Sequence, residues 1–258
     1  MPKNKVNTLA KLIVIPDIFI EIKFVNLLIG IEKIDMRSES IEDYLKAIYK
    51  LQSSEYNSAK VTTSLICKRM SVSPASATNM VKKLADMNLL NHAPYQGVEL
   101  TEAGKKIALE TIRHHRLIEL YLSQALGYPW DAIDAEAERL EHAISEEFED
   151  RIDQALGYPT IGAHGEPIPN KKGEIIQRHF PKLAELANGI SATIRRVSDH
   201  NPEMLRYINE LGLTLGSLVK IDNRAPFNGP LSLLIDSAKQ CSISIEVAEH
   251  IFAEPIAQ

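Results

Sequence analysis

A chain of 258 residues, 45% hydrophobic and 24% charged, is long enough to bury a sizeable core and to hold two or three small domains. Its formal charge of −5 excludes a protein that coats nucleic acid through bulk basicity, and two distant cysteines, Cys67 and Cys241, form neither a disulfide framework nor a Cys-x-x-Cys zinc pattern. The charge is unevenly spread: residues 36–107 carry ten Lys/Arg against seven Asp/Glu, a net of +3, whereas residues 108–173 carry six against thirteen, a net of −7. A mildly basic unit beside a strongly acidic one suits phosphate contact by the first and cation capture by the second, in a reducing, cytoplasmic compartment.

Within residues 1–35 the apolar run from Leu9 to Ile31 is interrupted by Lys11, Pro16, Asp17, Glu21 and Lys23, and no small-residue cleavage site follows. It reads as neither a membrane span nor a signal peptide. A helix-start pattern, Ser38-Glu-Ser-Ile-Glu-Asp43, comes directly after Met36, which marks residues 1–35 as an N-terminal extension or a misassigned start.

From Ser40 the apolar positions Ile41, Tyr44, Leu45 and Ile48 recur at helical spacing, with Asn57-Ser58 as the stop. A second short helix is predicted over Val61 to Met70. A third opens with Ser73 as N-cap and Pro74 in the first turn, buries Ala77, Met80, Val81 and Leu84, and runs to Met87. Two short helices joined by a tight turn make a helix-turn-helix, and Leu89–Ala93 and Val98–Leu100 flank Pro94-Tyr95-Gln96-Gly97 as a β-hairpin wing. The third helix turns Ser76, Thr78, Asn79, Lys82 and Lys83 outward, which suits DNA; an interaction module of the same fold that binds no DNA is the alternative.

Thr101 begins a long helix through His115 and Glu119 to Leu126, closed by Gly127-Tyr-Pro129, and a second long helix is predicted from beyond Trp130 to about Gly157. His115 and Glu119 are spaced i, i+4, and Glu138, Glu141 and His142 fall on one helical face, so two neighbouring helices offer imidazole and carboxylate donors to a divalent metal. Taken singly each has a plainer reading, a solvated face or an ion pair of Glu138 with Arg139; their convergence in an acidic segment favours the metal. The apolar residues of these helices, including Leu117, Leu120, Ile133, Leu140 and Phe148, exceed what one small unit needs and point to a homodimer. Residues from Ala163 to Gly189 read as a linker, and strands predicted at 192–194, 218–221, 231–235 and 241–245, with one helix at Pro202–Leu211, make a small SH3-like barrel. The fold class is therefore mainly α with a small β-barrel, in segments 36–107 (winged helix-turn-helix), 108–173 (helical, metal-binding and dimerising) and 174–258 (linker and SH3-like domain).

Taken together, Glu42-Asp-Tyr-Leu-Lys-Ala-Ile-Tyr49, the Ser73–Leu84 segment, Tyr95-Gln-Gly-Val-Glu-Leu-Thr101, His115-Arg-Leu-Ile-Glu119, Glu138-Arg-Leu-Glu-His-Ala-Ile-Ser145 and His164-Gly-Glu-Pro-Ile-Pro169 resemble the diphtheria toxin repressor family of metal-dependent transcriptional regulators, and in particular its manganese-responsive members. The C-terminal part resembles a ferrous-transport A-type domain. The resemblance implies an effector-metal site at Asp43, Glu138, Glu141 and His142, and a second site at His115 and Glu119, to which Asp134 and His164 add donors; Asp199, His200 or Asn201 would be the contribution of the C-terminal domain. It also implies DNA contact through Ser73, Pro74, Ala75, Ser76, Thr78, Asn79, Lys82 and Lys83, and through Tyr95 and Gln96 of the wing.

Iron-type members carry Met where Asp43 stands and Cys where Glu138 stands, so the oxygen donors here favour Mn2+, although they do not exclude Fe2+. Two positions depart from the family: Lys46 stands where manganese regulators without a barrel place a Glu, and Gly162 stands where barrel-bearing relatives often have a Cys. The implied function is Mn(II)-dependent binding of a homodimer to a palindromic operator in double-stranded DNA, repressing metal-uptake genes, with an Fe(II)-responsive regulator as the alternative. A metallohydrolase is remote, since the chain has no His-Glu-x-x-His motif and no separate general base.

Overall fold

The computed structural model describes residues 38–53, 60–93, 97–176, 178–198 and 201–256, all of which except Ser38 belong to the compact unit Glu39–Gln258. The expectations for residues 1–35, for the Asn57-Ser58 stop, for the wing-tip residues Tyr95 and Gln96, and for Asp199 and His200 lie outside the described residues.

Helix α1 (Glu39–Ser53) buries Ile41, Tyr44, Leu45 and Ile48. Helix α2 (Thr63–Met70) is capped by Thr62, whose side chain accepts from Leu65 N, and ends at Ser71 in the left-handed region. Helix α3 (Pro74–Asp86) starts as its sequence dictates: Ser73 Oγ accepts from Ser76 N, Pro74 occupies the first turn, and Ala77, Val81 and Leu84 face inward. Strands β1 (Leu90–Ala93) and β2 (Gly97–Leu100) pair antiparallel with Leu90 opposite Leu100, and Val61 bridges to Val98, fastening the hairpin to the start of α2. These residues close one apolar core that ends at Ala108 of the following helix.

That helix, α4 (Glu102–Leu126), is capped by Thr101 and closed by Gly127 at φ 69°. Its approach to the wing is close: a Cβ at Gly104 would stand 2.1 Å from Leu89 O, so only glycine fits there. The predicted second long helix is in fact two. Helix α5 (Ile133–Leu140) stops before the turn Glu141–Ala143, and α6 (Glu146–Ala155) begins anew at Ser145, whose side chain accepts from Phe148 N. The serine cap and three acidic residues in the next turn favour a fresh helix start over continuation.

The predicted linker is also ordered. Ile161 bridges to Pro167, His164 and Ile168 are buried, and Leu183 and Leu186 belong to the core of the following sheet rather than to a spacer. That sheet is antiparallel in the order β6-β5-β4-β3-β7, formed by β3 (Ser191–Val197), β4 (Leu218–Arg224), β5 (Leu231–Ile235), β6 (Lys239–Ile243) and β7 (Ile251–Pro255), with α7 (Pro202–Leu211) between its first two strands. Among the described residues β6 and β7 are edges and do not pair, so the predicted barrel is realised as a small open antiparallel sheet. Ile245, predicted as the end of a strand, instead opens the short helix α8 (Ile245–Ala248), because Ser244 caps it by accepting from Val247 N. Strand β7 escaped prediction, its run Ile-Phe-Ala-Glu-Pro being too short to show a period.

Of the apolar residues taken to signal a dimer, Leu117, Leu120 and Ile133 are consumed by the core within one chain. Leu140 and Phe148 are exposed, as are Leu126, Tyr128, Tyr158 and Ile161. No helix among the described residues is long and apolar enough to cross a membrane.

Candidate metal centre and nucleic-acid interface

Three elements bring the acidic residues together. Helix α1 supplies Glu42, Asp43 and Lys46, α4 supplies His115 and Glu119, and α5 with its terminal turn supplies Asp134, Glu138, Glu141 and His142. A cleft of about 370 Å³ opens onto them, lined by Asp43, Lys46, Asp134 and Glu138 and by Pro202 of α7.

Among the described residues three groups of donors are close enough to hold an ion: Asp43, Glu141 and His142; His115, Glu119 and Asp134; and His115, Glu138 and Glu141. In the first, His142 Nε2 lies 2.9 Å from Asp43 Oδ1 and 3.4 Å from Glu141 Oε1, while His142 Nδ1 lies 2.5 Å from Glu42 Oε2. Glu42 was missed by sequence reasoning; the signal that could have found it is the habit of ligand histidines to place their second nitrogen on a carboxylate. Burial pushes the Asp43 carboxyl above its ordinary range, with His142 pulling the other way. Burial works against protonation of His142, but the hydrogen bond with Glu42 and the charge of Glu141 outweigh it and raise its pKa.

The second group is buried more deeply. His115 Nε2 stands 3.2 Å from Asp134 Oδ1 and 3.6 Å from Glu119 Oε1, and His164 Nδ1 stands 3.4 Å from the same Glu119 oxygen. Neither His115 Nε2 nor Glu119 Oε1 makes a hydrogen bond, although both are shut off from water. Buried polar atoms rarely go unsatisfied, so these two are available to hold a cation. Without one, burial opposes both charges, yet each holds the other: Glu119 raises His115 to about 10, and His115 lowers Glu119 to about 2.

The side chain of His164 is fixed by Trp130, whose indole lies 4.9 Å from the imidazole and whose carbonyl accepts from Nε2–H at 3.2 Å. That hydrogen bond sets the tautomer in which the Nδ1 lone pair faces Glu119. The backbone of His164 accepts from Val197 N at 2.9 Å, so the sheet domain docks beside this group. Asn201 spends its side chain on capping α7, accepting from Glu203 N and Met204 N. Gly162 offers no side chain to this group, and its surroundings are Glu166 O and the Arg116 stem.

In the third group the centre is taken by Lys46. Its Nζ donates to Glu138 Oε2 at 2.6 Å and to the two Glu141 oxygens at 2.7 and 2.8 Å. Burial would lower the pKa of this amine, but Glu141 and Glu138 outweigh it and hold it above its usual value. Glu138 thus faces Lys46 and His115 rather than joining Asp43 and His142 as predicted.

Behind these groups Arg113 Nε donates to Glu149 Oε1 at 2.5 Å, while its other nitrogens donate to Asp153 Oδ2 and Pro169 O. His114 spans from Glu149 Oε2 to the backbone carbonyl of Glu141, so this network braces the turn that carries Glu141 and His142.

On α3 the side chains of Ser73, Pro74, Ala75, Ser76, Asn79, Lys82 and Lys83 are exposed, and Thr78 is half-buried with its hydroxyl donating to Pro74 O. A small-residue N-terminus followed by an amide and two lysines on the open face of the second helix is the geometry by which such a helix enters a major groove.

Comparison with known proteins finds matches to three segments of the chain. Residues 36–98 match the family model described as the iron dependent repressor N-terminal DNA binding domain, 101–170 match the iron dependent repressor metal binding and dimerisation domain, and 182–255 match the FeoA domain. The transcriptional regulator MntR of Oceanobacillus iheyensis is 36% identical over 123 residues, 48% of this chain and 81% of that protein. The iron-dependent repressor IdeR of Mycobacterium tuberculosis is 25% identical over 230 residues, 84% of this chain and 98% of that protein. A solved manganese-dependent transcriptional repressor in complex with manganese is 36% identical with a TM-score of 0.78, covering 84% of this chain and all of that one. The chain belongs to the diphtheria toxin repressor family of metal-dependent, DNA-binding transcriptional regulators.

Proposed function

We propose that this protein is a Mn2+-activated repressor of metal-uptake genes, acting in the cytoplasm as a homodimer on a palindromic operator. The observation that carries the reading is the junction itself: Asp43 of the DNA-binding module meets Glu141 and His142 of the metal-binding module within ligand distance. The unsatisfied His115 Nε2 and Glu119 Oε1 support a second ion beside it, held with Asp134 and His164. Every donor is oxygen or imidazole, with no thiolate, a set that suits Mn2+ over softer metals. The metal, when bound, supplies positive charge and a rigid tie among these donors.

The residues do the rest. Asp43 anchors α1, Glu141 and His142 present their donors from a turn braced by His114, and α3 follows α1 because both are packed in one core. A fixed α1 therefore fixes the spacing of the two recognition helices of a dimer, a shift between pre-existing states, and matched helices reach successive major grooves about 34 Å apart. Asn79 is placed to read a base edge, while Lys82 and Lys83 contribute salt-dependent affinity.

The same donors accept Fe2+, and the 25% identical relatives are iron-dependent repressors. Anaerobic titration at matched free metal decides between the two: operator affinity rising with Mn2+ supports the reading, and affinity rising with Fe2+ alone overturns the choice of metal while leaving the family intact.

A further inference from the structure

Lys46 is 5% exposed and lies one helical turn beyond Asp43. Its ammonium stands among Glu138, Glu141 and His115, at 2.6 Å, 2.7 Å and 3.4 Å respectively, and these three residues are themselves one of the groups able to hold an ion. The amine is thus where an ion held by that group would be. An ammonium and a divalent ion cannot share one position, because they overlap and repel. The imidazole of His115 is compatible with this occupancy: its Nδ1 faces Glu141 Oε2 at 2.6 Å, and the Nδ1–H tautomer leaves Nε2 as the donor aimed at Glu119 and Asp134.

We propose that Lys46 is a tethered cation: its ammonium permanently fills the position formed by His115, Glu138 and Glu141, so that this chain takes ions at its two other donor groups and none there. The inference rests on the reading of those groups as metal sites. It has two consequences. The acidic centre holds one ion fewer than its three groups allow. Helix α1 is also joined to α5 and the turn after it by the ion pairs of Lys46 with Glu138 and Glu141 before any metal arrives, so the metal completes a junction that is already closed on one side.

The test counts ions by native mass spectrometry of the full-length protein, stripped with chelator and reloaded with Mn2+, for wild type, Lys46→Glu, Lys46→Met and Asp43→Ala. Lys46→Glu exchanges the amine for a ligand and is expected to bind one more ion per protomer than wild type, and Asp43→Ala one fewer. Equal counts for wild type and Lys46→Glu, with Asp43→Ala reduced, overturn the proposal alone. An undiminished count in Asp43→Ala overturns instead the assignment of the Asp43 group on which it rests.

Should Lys46→Glu fail to fold, Lys46→Met, which keeps the buried stem, decides through hydrogen exchange. In metal-free protein the amides of α1 are expected to exchange at least about 10-fold faster than in wild type. Unchanged exchange there overturns the tether.

Discussion

Nδ1 of His115 lies 2.6 Å from Oε2 of Glu141, and this one contact links the Asp43–Glu141–His142 group of donors to the His115–Glu119–Asp134 group. Glu141 also touches Lys46 and approaches His142, so it is the residue on which α1, α4 and the turn after α5 converge. Glu141→Gln keeps the shape and removes the charge. It is expected to lower metal-dependent operator affinity by at least tenfold, about 1.4 kcal/mol, with the helical circular dichroism unchanged; fluorescence anisotropy on a labelled operator measures it.

The pair His115–Glu119 predicts a pH dependence for the metal-free protein. His115 is raised to about 10 from an ordinary 6.5, so its contribution to stability is complete below about 6.5 and is lost as pH rises toward 10. Glu119 is lowered to about 2, so its contribution is complete above about 4.5 and is lost as pH falls toward 2. The difference in urea midpoint between wild type and His115→Gln, measured with chelator present, should therefore shrink steadily above neutrality. A difference that stays constant to pH 10 contradicts it.

Arg113 and Glu149 form a buried ion pair in which removal of one partner strands the other. Burial opposes ionisation of Glu149, but the hydrogen bonds with His114 and Arg113 overcome it and hold the carboxyl at about 2. Arg113→Met is expected to cost about 3–5 kcal/mol in urea unfolding, and much of the loss should return in Arg113→Met/Glu149→Leu, which leaves no charge uncompensated.

On the recognition helix, Asn79→Ala should cost about 1–3 kcal/mol on the preferred operator and little on random DNA, because a base contact is lost. Lys82→Ala should weaken both equally and reduce the slope of log K against log salt by about 1. Titrations at several salt concentrations separate the two patterns.

Gly165 sits at φ 92°, and a Cβ there would stand 2.1 Å from Arg195 O on β3. Gly165→Ala therefore cannot keep both the turn that presents His164 and the docking of the sheet domain. Limited proteolysis should show cleavage between residues 165 and 190 in the variant, with the fragment carrying α1 to α6 still resistant.

The winged helix-turn-helix was legible because its signals are local: an N-cap serine followed by proline, a helical apolar stripe, and a turn between two short strands. The donor residues were legible as spacing, but their grouping was not. Glu138 turned to Lys46, Glu42 joined His142, and the helix broke at Glu141, because each outcome depends on which side chain arrives from a distant helix. Lys46 itself was visible only as a departure from the family pattern. Its location in the centre of three acceptors is a tertiary fact that no window of sequence contains.

In the proposed function, metal activates DNA binding by joining Asp43 to Glu141 and His142 across the module boundary. The most direct measurement is operator affinity with chelator and with saturating Mn2+, for wild type and for Asp43→Ala. Mn2+ is expected to tighten wild-type binding by about 5–150-fold, and Asp43→Ala, equally folded, to gain almost nothing. An Asp43→Ala variant that keeps the full wild-type gain would show that the metal acts without this junction.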